Sequence, residues 1–386
     1  MPDLAPQADP TIGLCMIVKN EQASLPRCLA SVRGLADDLV VVDTGSTDRT
    51  KKLAQSHGAR VFDFTWCEDF SAAYNHSLEQ ARTDWVLLLD ADEELTPESH
   101  ALVRQAVRRE DAFAYTVIRQ DFYGENATPD AQTEMLQTRL VRNRPEVRFI
   151  GRIHQQFHPS LAELATREGR HVYCSEIRLR HYGYMGDYQT RKVDRTIRLL
   201  ELELRDRPDR FYYLVELARA YLSVGDAAGI APLRRAAEVL AGWDAPPPEH
   251  LPSTALLLEQ VLAADTLPDG FPLCLEQAEA ISQAHFPDAV PLLWRRARKR
   301  FAAQDFAEGV ALLERILHLA ETGTYSRHCS FPPEIMGADA RLNLAVGYAH
   351  LGQRQDAVAL LRSLADDPRQ GQAARQNLRA LSAPLR

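Results

Sequence analysis

The 386-residue sequence has no long hydrophobic run: the apolar stretches, such as that over residues 85–89, fall far short of the roughly 20 apolar residues that a membrane helix needs. No membrane span is expected. A basic excess is also missing, because the formal net charge is -8, and with it the electrostatic footprint of a general nucleic-acid binder. Six cysteines (Cys15, Cys28, Cys67, Cys174, Cys274, Cys329) are scattered with no Cys-x-x-Cys pair, so they read as buried or idle thiols rather than a disulfide framework or zinc site. The opening stretch MPDLAPQADP has neither the cationic nor the apolar segment of a secretory leader, and a cytoplasmic location is expected. Glycine-rich signatures are absent too. Neither Gly-x-Gly-x-x-Gly nor Gly-x-x-x-x-Gly-Lys-Ser/Thr follows any candidate strand, which argues against a dinucleotide-dependent dehydrogenase and a P-loop nucleotidase.

What remains is an ordinary folded-protein composition, 45% hydrophobic and 25% charged, long enough for two or three domains at about 150 residues each. The first third alternates apolar runs with helical periodicity. Strands are expected at 12–18, 39–42, 61–64 and 85–89, with helices after the first three, the second covering 51–57 and closed by Gly58, the third covering 71–81. The wholly apolar run 85–89 suits a central parallel strand covered on both faces. Less regular strands follow at 113–119, 138–142 and 177–182, as in the second half of an α+β domain.

After that the strands stop. Val193, Ile197, Leu200 and Leu204 share one helical face, as do Leu214, Leu217, Ala218, Tyr221 and Leu222. The stretch LARAYLSVG (217–225) can be laid over LAVGYAHLG (344–352), and VALL at 310–313 over VALL at 358–361. These matches resemble tetratricopeptide repeats, helix pairs that must stack to cover their apolar faces. Loops or insertions are expected at 245–248 and 322–333.

Two acidic strand ends stand out. In VVVDTGSTD (40–48) an apolar strand runs into Asp43 and a tight turn; a carboxylate there would face the crevice beyond the strand ends and could accept from a base or ribose. The alternative is a plain strand-to-helix turn in which Asp48 caps a helix. In LLLDADEE (87–94) four carboxylates fall within five residues, and alternation puts Asp90 and Asp92 on one side. Hard oxygen ligands so spaced suit Mg²⁺ or Mn²⁺ carrying phosphates. The alternative is a solvated acidic loop leading to a helix near Pro97.

Taken together, CMIVKNEQASLPRCLASV, VVVDTGSTDRT, FTWCEDFSAAYNHSL, WVLLLDADEEL, FIGRIHQQF and LRHYGY, spread over about residues 11–184, resemble family 2 glycosyltransferases, in particular a bacterial branch carrying tetratricopeptide repeats. The resemblance implies an α/β GT-A nucleotide-sugar-binding domain over 1–190, followed by an all-α tetratricopeptide-like helical repeat domain over 191–386. It implies an inverting, hexosyltransferase-like enzyme. The donor would be a nucleoside-diphosphate sugar, UDP-linked, and the acceptor a polypeptide or another large molecule met by the repeats. Asp43, Ser46, Asn75 and Asp90 would bind the nucleotide sugar, Asp92 and His181 would hold Mn²⁺ or Mg²⁺, and His154 and Gln155 would lie on the acceptor side as catalytic residues.

Two positions depart from the family pattern. Tyr74 stands where an arginine is usual, removing a cation from the diphosphate or base, and Gln155 stands where a glutamate is usual, removing a carboxylate base. These departures leave a rival reading open, a catalytically impaired domain that serves as a nucleotide-binding or scaffold module beside a protein-interaction domain.

Overall fold

The protein is described from a computed structural model covering residues 9–124, 132–185, 190–327 and 331–382. It divides into two compact units, Met1–Pro208 and Asp209–Arg386. The sequence reading sets the boundary at 190/191; the structure divides after Pro208, because the helix that follows the last strand clusters with the first unit. No helix among the described residues is long and apolar enough to cross a membrane. Cys329 lies outside the described residues.

The first unit runs β1 (Ile12–Val18), α1 (Leu25–Ser31), β2 (Asp38–Asp43), α2 (Thr50–Ser56), β3 (Arg60–Asp63), α3 (Phe70–Gln80) and β4 (Trp85–Leu88). It continues with β5 (Glu93–Leu95), α4 (Ser99–Val107), β6 (Ala112–Gly124), β7 (Gln132–Arg142), β8 (Phe149–Ile150), β9 (Gln156–Phe157), α5 (Leu161–Arg167), β10 (His171–Met185) and α6 (Thr190–Asp206). Among the described residues eight strands form one mixed sheet in the order β3-β2-β1-β4-β7-β6-β10-β5. The first four are mutually parallel, whereas β7 is antiparallel to both β4 and β6.

Strand alternation builds two cores. Ile12, Leu14 and Met16 of β1 pack with Trp85 and Leu87 under Leu25, Leu29, Ala54 and Val103 from α1, α2 and α4. Cys15, Val86 and Leu88 point the other way, against Tyr74 and Leu78 of α3 and Leu161 and Leu164 of α5. Burial on both faces is why β4 is apolar throughout. Because α1 covers one face and α3 the other, the chain order reverses between β1 and β4. A crevice opens beyond the carboxyl ends of strands at such a point.

The second unit is all helical among the described residues: α7 (Phe211–Ser223), α8 (Ile230–Ala241), α9 (Leu251–Ala263), α10 (Leu275–His285), α11 (Val290–Ala302), α12 (Phe306–Thr322), α13 (Ala338–His350), α14 (Arg354–Ser363) and α15 (Gly371–Ser382). Successive helices from α11 to α15 pack on one another, burying Leu293, Val310, Leu313, Ile316 and Leu344 in one cluster and Ala345, Leu361 and Ala374 in the next. The two overlaid stretches behave alike. Each ends a helix, and each final glycine is left-handed, Gly225 at φ 75° and Gly352 at φ 78°. The fold class read from sequence, an α/β domain followed by an all-helical one, is the one observed.

Candidate active site

A cavity of about 1370 Å³ opens over the carboxyl ends of β1, β2 and β4. A single small-molecule site takes roughly 300–1,000 Å³, so this space has room for two substrates. Lys19, Asn20 and Arg27 line one part of it, Asp90, Asp92 and His181 another, and Ile153, His154 and Gln155 a third.

The turn after β2 is held by Asp43, which is 1% exposed and accepts through Oδ1 from the backbone N–H groups of Gly45 (3.0 Å) and Ser46 (2.8 Å). Its other oxygen, Oδ2, is buried with no hydrogen-bond partner, an unmet acceptor of the kind a ligand donor satisfies. Ser46 supports the wall from behind: its hydroxyl accepts from the N–H of Asn20 at 2.9 Å. Asp48 accepts from the Thr50 N–H at 2.9 Å just ahead of α2, although the residue in the N-cap position is Arg49.

The second acidic strand end is not a solvated loop. Glu93 is fully buried in β5, and the short strand pairs with β10 so that Glu93 stands opposite His181. Arg139, reaching over from β7 and 7% exposed, donates to Glu93 at 2.6 Å and to Asp90 at 3.1 Å. Asp90 also accepts from the Tyr74 hydroxyl. Burial pushes the Asp90 carboxyl up, but Arg139 and the Tyr74 hydrogen bond outweigh it and leave the pKa below the usual value; Glu93, where burial dominates, is held above its own. Glu94 accepts from the Tyr182 hydroxyl at 2.7 Å. The guanidinium of Arg27 lies 3.8 Å over the Tyr182 ring.

Asp92 and His181 meet at this wall. Asp92 Oδ2 lies 3.7 Å from His181 Nε2, and the Nδ1 of the same ring is 2.7 Å from Asp121. Asp121 is fully buried and held by both Nε (2.8 Å) and Nη2 (3.0 Å) of Arg119. Burial raises the Asp121 pKa, but the His181 and Arg119 contacts prevail and lower it, so the carboxylate stays charged and fixes the ring. In the tautomer that donates from Nδ1 to Asp121, the Nε2 lone pair faces Asp92, the arrangement by which a carboxylate orients a metal-binding histidine. A Cβ placed on Gly183 would sit 2.5 Å from that Nε2 and 2.6 Å from Asp92 Oδ2, so glycine keeps clear the space both atoms face. The Asp92 carboxylate suits Mn²⁺ or Mg²⁺, and the imidazole beside it favours the transition metal of the two. No cluster of three or more such side chains occurs among the described residues, which leaves an ion there to complete its shell from substrate or water.

The third wall carries His154, left-handed at φ 49°, and Gln155, both lining the cavity. Asn75 is a correction. Its amide donates to the Phe149 carbonyl (2.9 Å) and accepts from the Phe149 N–H (2.8 Å), so it clamps α3 to β8 and lines a separate, smaller pocket. Sequence reasoning missed Arg139, Asp121 and Arg119, charged residues inside strands; the signal was the alternation of Arg119 with Asp121, which puts both on one side of β6.

Residues 14–161 match the family described as Glycosyl transferase family 2. A TPR repeat-containing protein of Synechococcus elongatus is 39% identical over 219 residues, 56% of this chain and 53% of the relative. The glycosyltransferase SunS of Bacillus subtilis, derived from prophage SPbeta, is 28% identical over 149 residues, 38% of this chain and 35% of the relative. The chain thus spans about half the length, or less, of these curated relatives. Among solved structures, glucosyl-3-phosphoglycerate synthase from Mycobacterium tuberculosis, in complex with Mg²⁺ and uridine-diphosphate, is 27% identical over 28% of this chain and 44% of that one, with a TM-score of 0.25. The motifs, the family match and the relative named a glycosyltransferase agree, and the chain carries a family 2 glycosyltransferase domain over residues 14–161.

Proposed function

We propose that the chain is an inverting, divalent-metal-dependent hexosyltransferase that moves a sugar from a UDP-linked donor to an acceptor lodged against Ile153, His154 and Gln155. The observation that carries this reading is the pairing of Asp92 with an oriented His181 across a space that Gly183 keeps clear. Those two side chains would hold Mn²⁺ or Mg²⁺, whose charge offsets the negative charge that grows on the departing diphosphate. Asp90, fixed by Tyr74 and Arg139, is directed to the ribose, and Asp43, with its unmet oxygen, to the base. An acceptor oxygen or sulfur forms the new bond to the anomeric carbon as the bond to the diphosphate breaks. His154 is the ionisable group on the acceptor segment, while Gln155 can orient but cannot take a proton. The helix pairs of the second unit are read as a docking surface for a polypeptide acceptor or protein partner.

Titration with UDP at fixed Mn²⁺, and again after chelation, tests the reading. Binding should need the metal, fall sharply in Asp92→Ala and persist in Glu146→Ala, an exposed carboxylate elsewhere on the unit. Equal binding by parent and Asp92→Ala refutes it. A second reading, a nucleotide-binding module without turnover, draws on Gln155; metal-dependent hydrolysis of any UDP-sugar in a panel would exclude it.

A further inference from the structure

Helix α6 supplies a wall that the sequence reading gave to the other domain. Arg195 and Arg198 of this helix line the cavity. The Arg195 guanidinium lies 5.4 Å from the centre of the Phe70 ring, and Phe70 meets Trp66 edge-on at 4.8 Å. The Phe70 N–H donates to the Arg152 carbonyl at 2.9 Å, which ties this aromatic platform to the segment carrying Ile153, His154 and Gln155. The helix is anchored at the same place. Buried Glu203 accepts from the Arg152 N–H at 2.9 Å, and Asp206 pairs with the Arg152 guanidinium at 3.0 Å.

Charge is distributed unequally on this wall. Arg198 pairs with Glu68, a cavity-lining carboxylate between Trp66 and Phe70 in sequence, so that its charge is already met. Among the described residues no carboxylate pairs with Arg195. At cation–π distance from Phe70, the Arg195 guanidinium retains forked N–H donors able to receive a phosphate or carboxylate through two bonds.

We propose that Arg195 is an anion-binding group of the acceptor site and that the acceptor carries a phosphate or carboxylate close to its nucleophile. The proposal rests on the transferase reading for the word acceptor, but not for the anion site itself. The test uses the full chain, saturated with UDP and Mg²⁺ so that the donor side is filled, and titrated with methyl phosphate and, in parallel, acetate. Saturable binding of at least one is expected, weakened about tenfold in Arg195→Gln, the lower end for a charge-assisted hydrogen bond at an exposed site. Arg195→Lys should recover part of it, and UDP affinity should be the same in all three proteins. The stronger of the two probes identifies the acceptor group. Equal affinity in parent and Arg195→Gln, or no binding of either probe by the parent, overturns the proposal; so does a loss of UDP affinity in Arg195→Gln, which would put the guanidinium on the donor diphosphate. If the parent binds no UDP, the transferase reading fails by itself, and the same titration of the unloaded chain still decides whether Arg195 is an anion site.

Discussion

Replacing Gly183 by alanine puts the metal assignment to its sharpest test, because one methyl group enters the space between two side-chain tips. The added Cβ would lie 2.5 Å from His181 Nε2 and 2.6 Å from Asp92 Oδ2, well inside any contact that real Cβ atoms make. One or both tips must withdraw by several tenths of an ångström. Asp92 is partly exposed and can swing, but His181 is fixed through Nδ1 to Asp121 at 2.7 Å, and Asp121 is fixed by Arg119. The clash falls on side-chain ends rather than backbone, so the fold should survive while the two donors lose their common focus. Removing one outer partner of a metal site typically costs about 10- to 100-fold in affinity, and displacing two direct donors should cost at least the upper figure. Calorimetric titration of UDP at fixed Mn²⁺ measures the loss, and a thermal melt shows whether the protein is otherwise intact. Unchanged Mn²⁺-dependent UDP affinity in Gly183→Ala would refute the reasoning, since no ion could then sit between those atoms.

Arg139→Leu should destabilise the first unit by about 3–5 kcal/mol at neutral pH, because fully buried Glu93 is left without its cation, and Arg139→Lys should lose less; denaturant melts that show a shift under 1 kcal/mol for the leucine variant would contradict the pairing. In the second unit, His250 stacks on Trp243 at 5.1 Å and burial holds its pKa below the ordinary value, so the unfolded chain takes up the proton first. Its contribution is present above a pH of about 6.5 and is lost as pH falls through the lowered folded value; His250→Phe, which keeps the ring stack, should flatten this part of the melting profile between about pH 7 and 5, and an unchanged slope would count against it.

The parallel half of the sheet was legible because burial on two faces leaves an apolar run that few other structures produce, and the turn glycines and short helices between the runs matched their periods. Strand β5 was hidden because its first residue is Glu93, whose charge is paired with Arg139, 46 residues later in the chain. Strands β6 and β10 were underestimated in length for a related reason: Arg119 and Asp121 interrupt the hydrophobic pattern of one, and register shifts after Cys174 and His181 interrupt the other. Helix α6 was recognised as a helix but placed in the wrong unit. Periodicity says that a helix has an apolar stripe; it does not say which core the stripe covers, and buried Leu199, Leu200 and Glu203 group with the first unit.

The two departures from the family pattern come apart once space replaces sequence. Tyr74 does not leave Asp90 without a partner: its hydroxyl donates to that carboxylate, and the Arg139 guanidinium reaches the other oxygen from β7, so a cation is present beside Asp90 although none stands at position 74. No such substitution occurs for Gln155. Of the four carboxylates among the described residues that line the cavity, Glu21 accepts from the Ser24 hydroxyl, Glu68 is paired with Arg198, Asp90 is held by Tyr74 and Arg139, and Asp92 faces His181. On the transferase reading, proton removal would fall to His154, which lines the cavity beside Gln155, or would be unnecessary, as with a thiol nucleophile. An acceptor anion would bear on the same step. A negative charge beside the nucleophile raises the cost of deprotonating it and repels the diphosphate, whereas the same charge held on Arg195 is largely cancelled. On this reading the cation on α6 and the missing carboxylate at position 155 belong to one electrostatic solution: the wall gives up a fixed negative charge at the base and gains a positive one where an anionic acceptor arrives.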